Sequence, residues 1–305
     1  MEKILTIVIP TYNMEKYLDK CLTSLIIEDK ELLKKMEVLV VIDGAKDRSS
    51  EIAHCYQDRF PETFRVIDKE NGNYGSCVNR GLKEAQGKYI KILDADDWFE
   101  TKNLTEYICF LEKNNFDAVI TDFDIVDEAG LLKKHWKIKY PRRKEISLAD
   151  MISKHHYGIM MHAVTYRTQH VRSLNYVQPE GISYTDQIWI HEPMANISSA
   201  YYLPIVVYKY LVGRVGQTMD AAVSSKSMNH HMLCSYAMAD VLQRTKPENG
   251  LKYNFLFDRT MHTVESIYKT FLFKLPQDRL PELSNYDSYL REKHPQIYTK
   301  INKAT

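Results

Sequence analysis

Three carboxylates fall within four residues at Asp94-Ala95-Asp96-Asp97, directly after an apolar stretch. Neighbouring carboxylates repel one another unless a cation or hydrogen-bond donors compensate them. Hard divalent cations such as Mg²⁺ and Mn²⁺ take oxygen ligands, commonly one or two protein carboxylates together with phosphate oxygens of a substrate. The pair Asp94 and Asp96 therefore indicates a site for a metal ion and a phosphorylated ligand. The alternative is a solvated acidic turn that caps a helix beginning near Thr101.

The first hundred residues predict the elements that position this acidic segment. Their apolar patterns alternate between strand and helix, which is typical of an α/β fold with a mostly parallel sheet flanked by helices. Asn13 is predicted to cap the first helix, the second begins at Ser49-Ser50, and the third begins near Ser76. Ligands of open α/β sheets bind at the edge where the strands end. The predicted strands are Ile4–Pro10, Glu37–Asp43, Phe64–Lys69 and Tyr89–Asp94.

Beyond residue 100 the pattern changes. The segment Ala118–Val126 and the return through Leu131–Tyr140 predict a hairpin, and Ser147 is expected to cap a short helix. From Met228 to Phe273 the apolar spacing is helical except at Pro247 and Gly250, which predicts a mainly helical C-terminal appendage.

Composition excludes several classes of function. The chain of 305 residues has 41 Lys and Arg against 40 Asp and Glu, so a nucleic-acid-coating protein is not expected. No GxGxxG, Walker A, GxSxG or HExxH sequence is present, which argues against dehydrogenases, P-loop enzymes, serine hydrolases and zincins. Five cysteines without a CxxC pair fit a reducing compartment. With no signal-peptide pattern, we expect a cytoplasmic protein.

Four segments together resemble the ordered motifs of family 2 glycosyltransferases: Val8–Asn13, Val40–Ser49, Asn71–Gly81 and Gly87–Asp97. The resemblance implies the GT-A fold, a Rossmann-like fold of nucleotide-diphospho-sugar transferases. It implies a catalytic domain over residues 1–217, with a nucleotide-binding half (1–100) and an acceptor half (101–217). Residues 218–305 then form the helical C-terminal region.

The resemblance also implies roles for single residues. Thr11 and Tyr12 would line the uracil and ribose pocket, Asp43 would accept a hydrogen bond from uracil, and Asp94 would lie near the ribose or sugar. Asp96 would hold Mn²⁺ or Mg²⁺ between the two phosphates. The remaining residues assigned to the nucleotide-sugar site are Pro10, Asn13, Asn79, Ala95 and Arg214.

Departures from the family pattern leave some of these roles open. Ile42 and Ala45 replace an acid and a serine of the second motif, and Val78 stands where arginine is common. Asn79 is equally consistent with a buried, satisfied side chain. Arg214 either contacts the diphosphate or caps a turn between Gly213 and Gly216.

An inverting transfer also needs a general base. The family places an acid at the start of a helix after the sheet, and Asp186 fits that position, where a helix N-terminus favours an ionised carboxylate. An ordinary first-turn aspartate is the alternative. His162 and His191 are conceivable third metal ligands, although a lone histidine is more often structural.

The sequence therefore predicts an inverting, metal-dependent glycosyltransferase that moves a sugar from a UDP-sugar to the hydroxyl of a glycan or lipid-linked glycan acceptor. The resemblance implies bacterial cell-surface polysaccharide synthesis, at the inner face of the cell membrane. A nucleotidyltransferase and a catalytically silent sugar-nucleotide-binding partner are the alternatives. Basic and aromatic residues near the C-terminus permit peripheral membrane contact or a homodimer, and equally a solvated helical face: Lys274, Arg279, Tyr289, Arg291, Lys293, Tyr298, Lys300 and Lys303.

Overall fold

The computed structural model describes residues 2–138, 140, 143–153, 158–214, 217 and 227–301. Its centre is one ten-stranded sheet with helices packed against it. The predicted α/β class is therefore confirmed. The strands Leu5–Thr11, Met36–Asp43 and Tyr89–Ile92 consist entirely of buried residues. The polar motifs that follow them therefore lie at the ends of buried strands.

The strands and helices have the following bounds. The strands are β1 (Leu5–Thr11), β2 (Met36–Asp43), β3 (Phe64–Lys69), β4 (Tyr89–Ile92), β5 (Trp98–Phe99), β6 (Ala118–Val126), β7 (Leu132–Trp136), β8 (Lys144–Ile146), β9 (Val164–Arg167) and β10 (Ala200–Leu211). The helices are α1 (Leu18–Thr23), α2 (Lys30–Lys34), α3 (Ser49–Arg59), α4 (Asn73–Glu84), α5 (Thr101–Lys113), α6 (Leu148–Ser153), α7 (Thr168–Ser173), α8 (Asp186–Ala195), α9 (Met228–Arg244), α10 (Leu251–Phe273), α11 (Leu280–Lys293) and α12 (Pro295–Ile301).

The four strands of the first hundred residues are parallel, in the order β3-β2-β1-β4. β1 and β2 consist entirely of buried residues, as expected for strands covered by helices on both faces. All four predicted strands are confirmed, with ends that differ by at most two residues. Their carboxyl ends meet at one edge of the sheet, where the polar motifs follow.

The other half of the sheet is mixed. β9 is antiparallel to both β4 and β6, whereas β10 is parallel to β6 and antiparallel to β5 and β8. β7 pairs antiparallel with β6, so the predicted hairpin is confirmed. Because β9 joins β4 to β6, the sheet continues from the strands of the first hundred residues into those that follow.

The two helix caps predicted at Ser147 and Asn13 have different outcomes in the structure. The Ser147 hydroxyl accepts from the amide of Asp150, whose carboxylate accepts from the Ser147 amide, so the predicted cap is confirmed as a capping box. The Asn13 cap was wrong. Asn13 has a positive φ of 52° and its side chain accepts from the amide of Lys46, so α1 begins only at Leu18.

The C-terminal region is helical, as predicted, and its break falls at Pro247 and Gly250 between α9 and α10. Both helices contact α8, and their apolar side chains join the same hydrophobic core as the sheet. Burying this apolar surface stabilises the fold. None of the helices among the described residues has the length and apolar character needed to cross a membrane.

Candidate active site

The acidic segment forms a loop between β4 and β5, which we call the acid loop (residues 94–97). Asp97 is buried and both of its oxygens are engaged: the Tyr208 hydroxyl donates at 2.6 Å and the Leu211 amide at 2.7 Å. Burial and the neighbouring carboxylates raise the pKa of Asp97. Asp97 therefore attaches the acid loop to the end of β10.

Asp94 is partly buried and faces aromatic hydroxyls. Its carboxylate accepts from the Tyr74 hydroxyl at 2.8 Å, and its amide donates to the Tyr208 hydroxyl at 3.1 Å. Burial, followed by the nearby charge of Asp96, raises the pKa of Asp94 to about 7. The free protein thus holds a carboxyl that a cation would help to ionise.

Asp96 pairs with Arg214. The Arg214 Nε lies 2.5 Å from the Asp96 carboxylate, and the guanidinium lies 5.4 Å from the centre of the Tyr17 ring. Arg214 therefore contacts the acid loop, and its contact with the diphosphate stays a prediction. The alternative prediction, that Arg214 caps a turn between Gly213 and Gly216, involves Gly216, which lies outside the described residues. The side-chain amide of Gln217 donates to the Leu211 carbonyl and accepts from the Gly213 amide, so Gln217 has a structural role.

His162 lies against the acid loop. Its ring stacks on Tyr210 at 4.2 Å, and a ring nitrogen comes within 4.8 Å of carboxylate oxygens of Asp94 and Asp97. Burial lowers the pKa of His162 to about 3, so the imidazole is neutral. Its buried Nδ1 has no hydrogen-bond partner among the described residues. His191 likewise has a buried Nδ1 without a partner among the described residues, but its Nε2 contacts the Thr260 hydroxyl of α10 at 3.0 Å, and it is not grouped with Asp94 and Asp97.

Asp186 is the first residue of α8, the position predicted for it. The Gln187 amide donates to its carboxylate at 3.2 Å. The charge of Asp186 raises the pKa of both Tyr74 and Asp94, so α8 presents this carboxylate towards the acid loop. Burial raises the pKa of Asp186 itself. The expectation that the helix N-terminus would dominate its ionisation is therefore not supported.

Asp43 closes the turn after β2. Its carboxylate accepts from the Lys69 ammonium at 2.6 Å, the Gly72 amide at 2.9 Å and the Asn71 side chain at 3.1 Å. These bonds fix the loop that leads into α4. The contact of Asp43 with uracil stays a prediction.

Asn79 connects α4 to the segment before α8. Its side chain donates to the Gln178 carbonyl and the Glu180 carboxylate, and accepts from the Gln178 amide at 2.8 Å. All the hydrogen-bonding groups of the Asn79 amide are thus used at least once inside the protein, which favours the structural interpretation of this residue.

The residues that end β1 differ in exposure. Pro10 and Thr11 are buried, and the Thr11 hydroxyl donates to the carbonyl of Ile9 at 3.1 Å. Tyr12 is 45% exposed, so its ring is open to a ligand at this edge. Asn13 holds the Lys46 amide at 2.8 Å. Ala95 is buried within the acid loop, where its small side chain permits close packing.

Sequence reasoning missed three residues of the site. Tyr74 and Tyr208 hold the acid loop through their hydroxyls, and no local pattern singles them out among 21 tyrosines. Lys91 is fully buried in β4, and its ammonium donates to the carbonyls of His162 and Val164 at 2.8 and 3.0 Å. Burial lowers the pKa of Lys91 to about 7. The sequence signal that could have identified Lys91 is a lysine between the apolar residues of a buried strand.

Comparisons with known proteins identify relatives of this chain. A glycosyltransferase of Mycoplasma genitalium, described as uncharacterized, is 28% identical over 221 residues, covering 71% of this chain and 72% of that protein. The poly(ribitol-phosphate) beta-N-acetylglucosaminyltransferase TarS of Staphylococcus aureus is 25% identical over 263 residues, covering 84% of this chain. The match spans 45% of the length of TarS, so this chain corresponds to about half of that relative.

Solved structures show the same fold. TarS residues 1–349 in complex with UDP-GlcNAc superpose with a TM-score of 0.72 and 19% identity, covering 96% of this chain and 82% of that one. The mannosyltransferase PcManGT of Pyrobaculum calidifontis, solved with GDP-Man and Mn²⁺, has a TM-score of 0.57 and 14% identity, covering 98% and 84%. At these identities the likeness concerns the fold. The expected glycosyltransferase fold is confirmed.

The family model for glycosyl transferase family 2 matches residues 6–173, more than half of the chain. That range contains β1 to β4, the acid loop and His162. The chain belongs to glycosyl transferase family 2 and is a glycosyltransferase.

Proposed function

We propose that this enzyme is an inverting, metal-dependent glycosyltransferase that moves a sugar from a UDP-sugar to an acceptor hydroxyl. One observation carries the proposal: Asp186 at the start of α8 lies close enough to Asp94 for their charges to interact across the site. Direct displacement needs a base for the acceptor and compensation of charge on the leaving diphosphate. Asp186 would supply the base, and a cation held by the acid loop would supply the charge compensation.

A divalent cation fits the acid loop. Carboxylates and a neutral imidazole are ligands that Mn²⁺ accepts, and Mg²⁺ accepts the carboxylates. The buried His162 Nδ1 without a partner is the observation that favours such a ligand. Asp94, Asp97 and His162 offer ligand atoms within 4.8 Å of one another, and Asp96 would join them once it is released from Arg214. A bound cation would stabilise the negative charge that develops on the departing diphosphate.

The donor is proposed to be a UDP-sugar because TarS was solved with UDP-GlcNAc. Its uracil and ribose would lie at the ends of β1 and β2, near Tyr12 and Asp43, with the diphosphate over the acid loop. Arg214 now pairs with Asp96 and carries a planar guanidinium suited to phosphate. We assign Arg214 to the diphosphate in the donor complex, which would release the Asp96 carboxylate.

Asp186 would take the proton of the acceptor hydroxyl. A carboxylate whose pKa is raised by burial is a stronger base than an exposed one. The acceptor oxygen would then attack the anomeric carbon from the face opposite the diphosphate, which inverts its configuration. By analogy with the polymer acceptor named for TarS, we place the reaction in bacterial cell-surface glycan synthesis, on a glycan or lipid-linked glycan at the inner face of the membrane.

The direct test uses water as a substitute acceptor. The protein is incubated with a panel of UDP-sugars and Mn²⁺, UDP release is measured, and proton NMR follows the first anomer formed. We expect slow UDP release that EDTA abolishes, with the β-anomer appearing first from an α-linked donor. Retained configuration would overturn the inverting mechanism. Release of pyrophosphate in a parallel assay with UTP and a sugar 1-phosphate would identify a nucleotidyltransferase, and no turnover with intact UDP binding would favour the silent-partner alternative.

A further inference from the structure

The hairpin strand β7 extends the catalytic face of the sheet. Register pairs Tyr208 of β10 with Phe123 of β6, and Phe123 with Trp136 of β7. The Phe123 and Trp136 rings stack at 5.6 Å with an interplanar angle of 18°. Paired residues of a sheet point to the same face, and Tyr208 bonds the acid loop. Trp136 therefore lies on the face that carries the catalytic groups.

An exposed cation completes this surface. The Lys134 ammonium lies 4.3 Å from the centre of the Trp136 ring, so both side chains occupy the same face of β7. Lys134 is exposed and has no ion-pair partner among the described residues. In the register Lys134 stands beside Ile125, which stands beside Tyr210. Two strand spacings separate Lys134 from Tyr210, about 10 Å.

The neighbouring basic residues of β7 already have partners. Lys133 pairs with Asp127 at 2.8 Å, and His135 lies 2.5 Å from the Asp124 carboxylate, which also holds Lys209. The sequence around β7 is nonetheless strongly basic: residues 131–144 contain seven Lys and Arg residues and no Asp or Glu. Lys134 is thus a cation on the catalytic face, within a segment whose charge favours anions.

From this geometry we propose that Lys134 and Trp136 form an acceptor subsite for a phosphate-bearing glycan or polyol chain. The inference rests on the proposed function, because it assumes that an acceptor reacts beside Asp186. Trp136 offers an apolar ring edge for the carbon skeleton, and Lys134 offers an ammonium for the phosphate. At about 10 Å from Tyr210, the pair contacts acceptor units beyond the reacting one. Lys134 is therefore a specificity-determining residue and touches no reacting atom.

Binding assays with full-length protein test this subsite. The probes are soluble poly(glycerol phosphate), neutral dextran, and vesicles of phosphatidylcholine with phosphatidylglycerol. We expect binding to the phosphodiester polymer that weakens with added salt, and none to dextran. Lys134→Gln should weaken polymer binding about threefold to tenfold, whereas Lys134→Arg should retain it.

Lys133→Gln is the matched control. It removes the same charge from the adjacent residue, but Lys133 is already paired with Asp127. We expect less than a twofold change in polymer affinity for this variant. Equal losses in both variants would show a general charge effect and overturn the subsite. Unchanged affinity in Lys134→Gln would also overturn the subsite. Absence of polymer binding, or binding to the anionic vesicles in place of the polymer, would overturn it as well.

UDP binding, measured on the same samples, separates this inference from the proposed function. Metal-dependent UDP binding should be equal in the native protein and in both lysine variants, since neither lysine contacts the acid loop among the described residues. If UDP binds and the Lys134 variant behaves like the native protein, the subsite is wrong and the proposed function stands. If UDP does not bind to any of the three proteins, the proposed function fails, and the subsite fails with it.

Discussion

The edge formed by β1 and β2 and the acid loop hold their polar side chains in different ways. At the edge formed by β1 and β2, Asp43 bonds to Lys69 and Asn13 to Lys46, which lie 26 and 33 positions away along the chain. The acid loop, by contrast, is held by Tyr208 and Arg214, more than 110 positions away. The edge formed by β1 and β2 is thus held by residues nearby in the chain, whereas the acid loop, apart from the bond from Tyr74 to Asp94, depends on Tyr208 and Arg214.

This difference predicts separate effects on donor binding and on turnover. Residues of the nucleotide-binding edge should act on UDP affinity or stability, and Asp186 should act on the chemical step alone. Tyr208 of β10 bonds the acid loop, so its replacement should change both donor binding and turnover. The following four variants test this division.

Asp186→Asn should lower kcat by about 1,000-fold, because the amide cannot accept the acceptor proton. UDP affinity should change by less than twofold. Single-turnover UDP release and calorimetry measure the two quantities. Glu192→Gln, on the same helix, is the control and should leave both unchanged. A loss of UDP affinity that equals the loss of kcat in Asp186→Asn would mean that Asp186 belongs to the donor site.

Tyr208→Phe should lower kcat/KM about tenfold and reduce the free energy of unfolding by about 2 kcal/mol, since Asp97 loses a buried hydrogen bond. Tyr202→Phe is a matched control on the same strand, because Tyr202 donates to the buried Asp122 at 2.8 Å. Its stability should fall by a similar amount while kcat/KM stays native. Equal effects on kcat/KM would show that Tyr208 acts only through stability.

Asp94→Asn should stabilise the metal-free protein by about 2 kcal/mol at pH 8 and abolish metal-dependent UDP binding. The pKa of Asp94 is about 7 in the folded protein, above the ordinary value. The native protein therefore loses stability as the pH rises from about 4 to about 7, and the variant does not. Urea unfolding at pH 4 and pH 8 measures the difference. A gain that is equal at both pH values would show that ionisation of Asp94 is not its cause.

Asn79→Ala should reduce the free energy of unfolding by about 1 to 2 kcal/mol, because the Gln178 amide and carbonyl lose their partner. UDP affinity should stay within twofold of native. Thermal unfolding and calorimetry test this pair of results. A loss of UDP affinity at unchanged stability would return Asn79 to the donor site that the family resemblance implies.

The secondary structure was predictable wherever the signal is local. Ala118–Val126 was predicted with its observed bounds as one strand of a hairpin, although Asp122 and Asp124 interrupt its apolar run. The break at Pro247 and Gly250 was likewise readable, since both residues disfavour a helix interior. The Asn13 cap failed because its side chain bonds to Lys46 of another loop, a contact that no local pattern contains.

The sequence singled out candidate site residues but not the contacts between them. Asp94, Asp96 and Asp186 stand out through motif and position, but Asp94 bonds to Tyr74 of α4 and Asp96 to Arg214 beyond the end of β10. The bond from Arg214 to Asp96 spans 118 positions, and His162 reaches the acid loop only because Lys91 and β9 hold its backbone there. Such contacts depend on tertiary packing, so one sequence does not reveal them.

Calorimetric titration of UDP, with and without Mn²⁺, tests the central claim most directly. GDP and CDP serve as base controls, Asp96→Asn tests the acid loop, and Asp58→Asn, on the exposed side of α3, is the matched acid control. We predict uracil-selective binding that requires Mn²⁺, is lost in Asp96→Asn and is retained in Asp58→Asn. Equal UDP binding by the native protein and Asp96→Asn, or binding that does not depend on metal, would contradict the account.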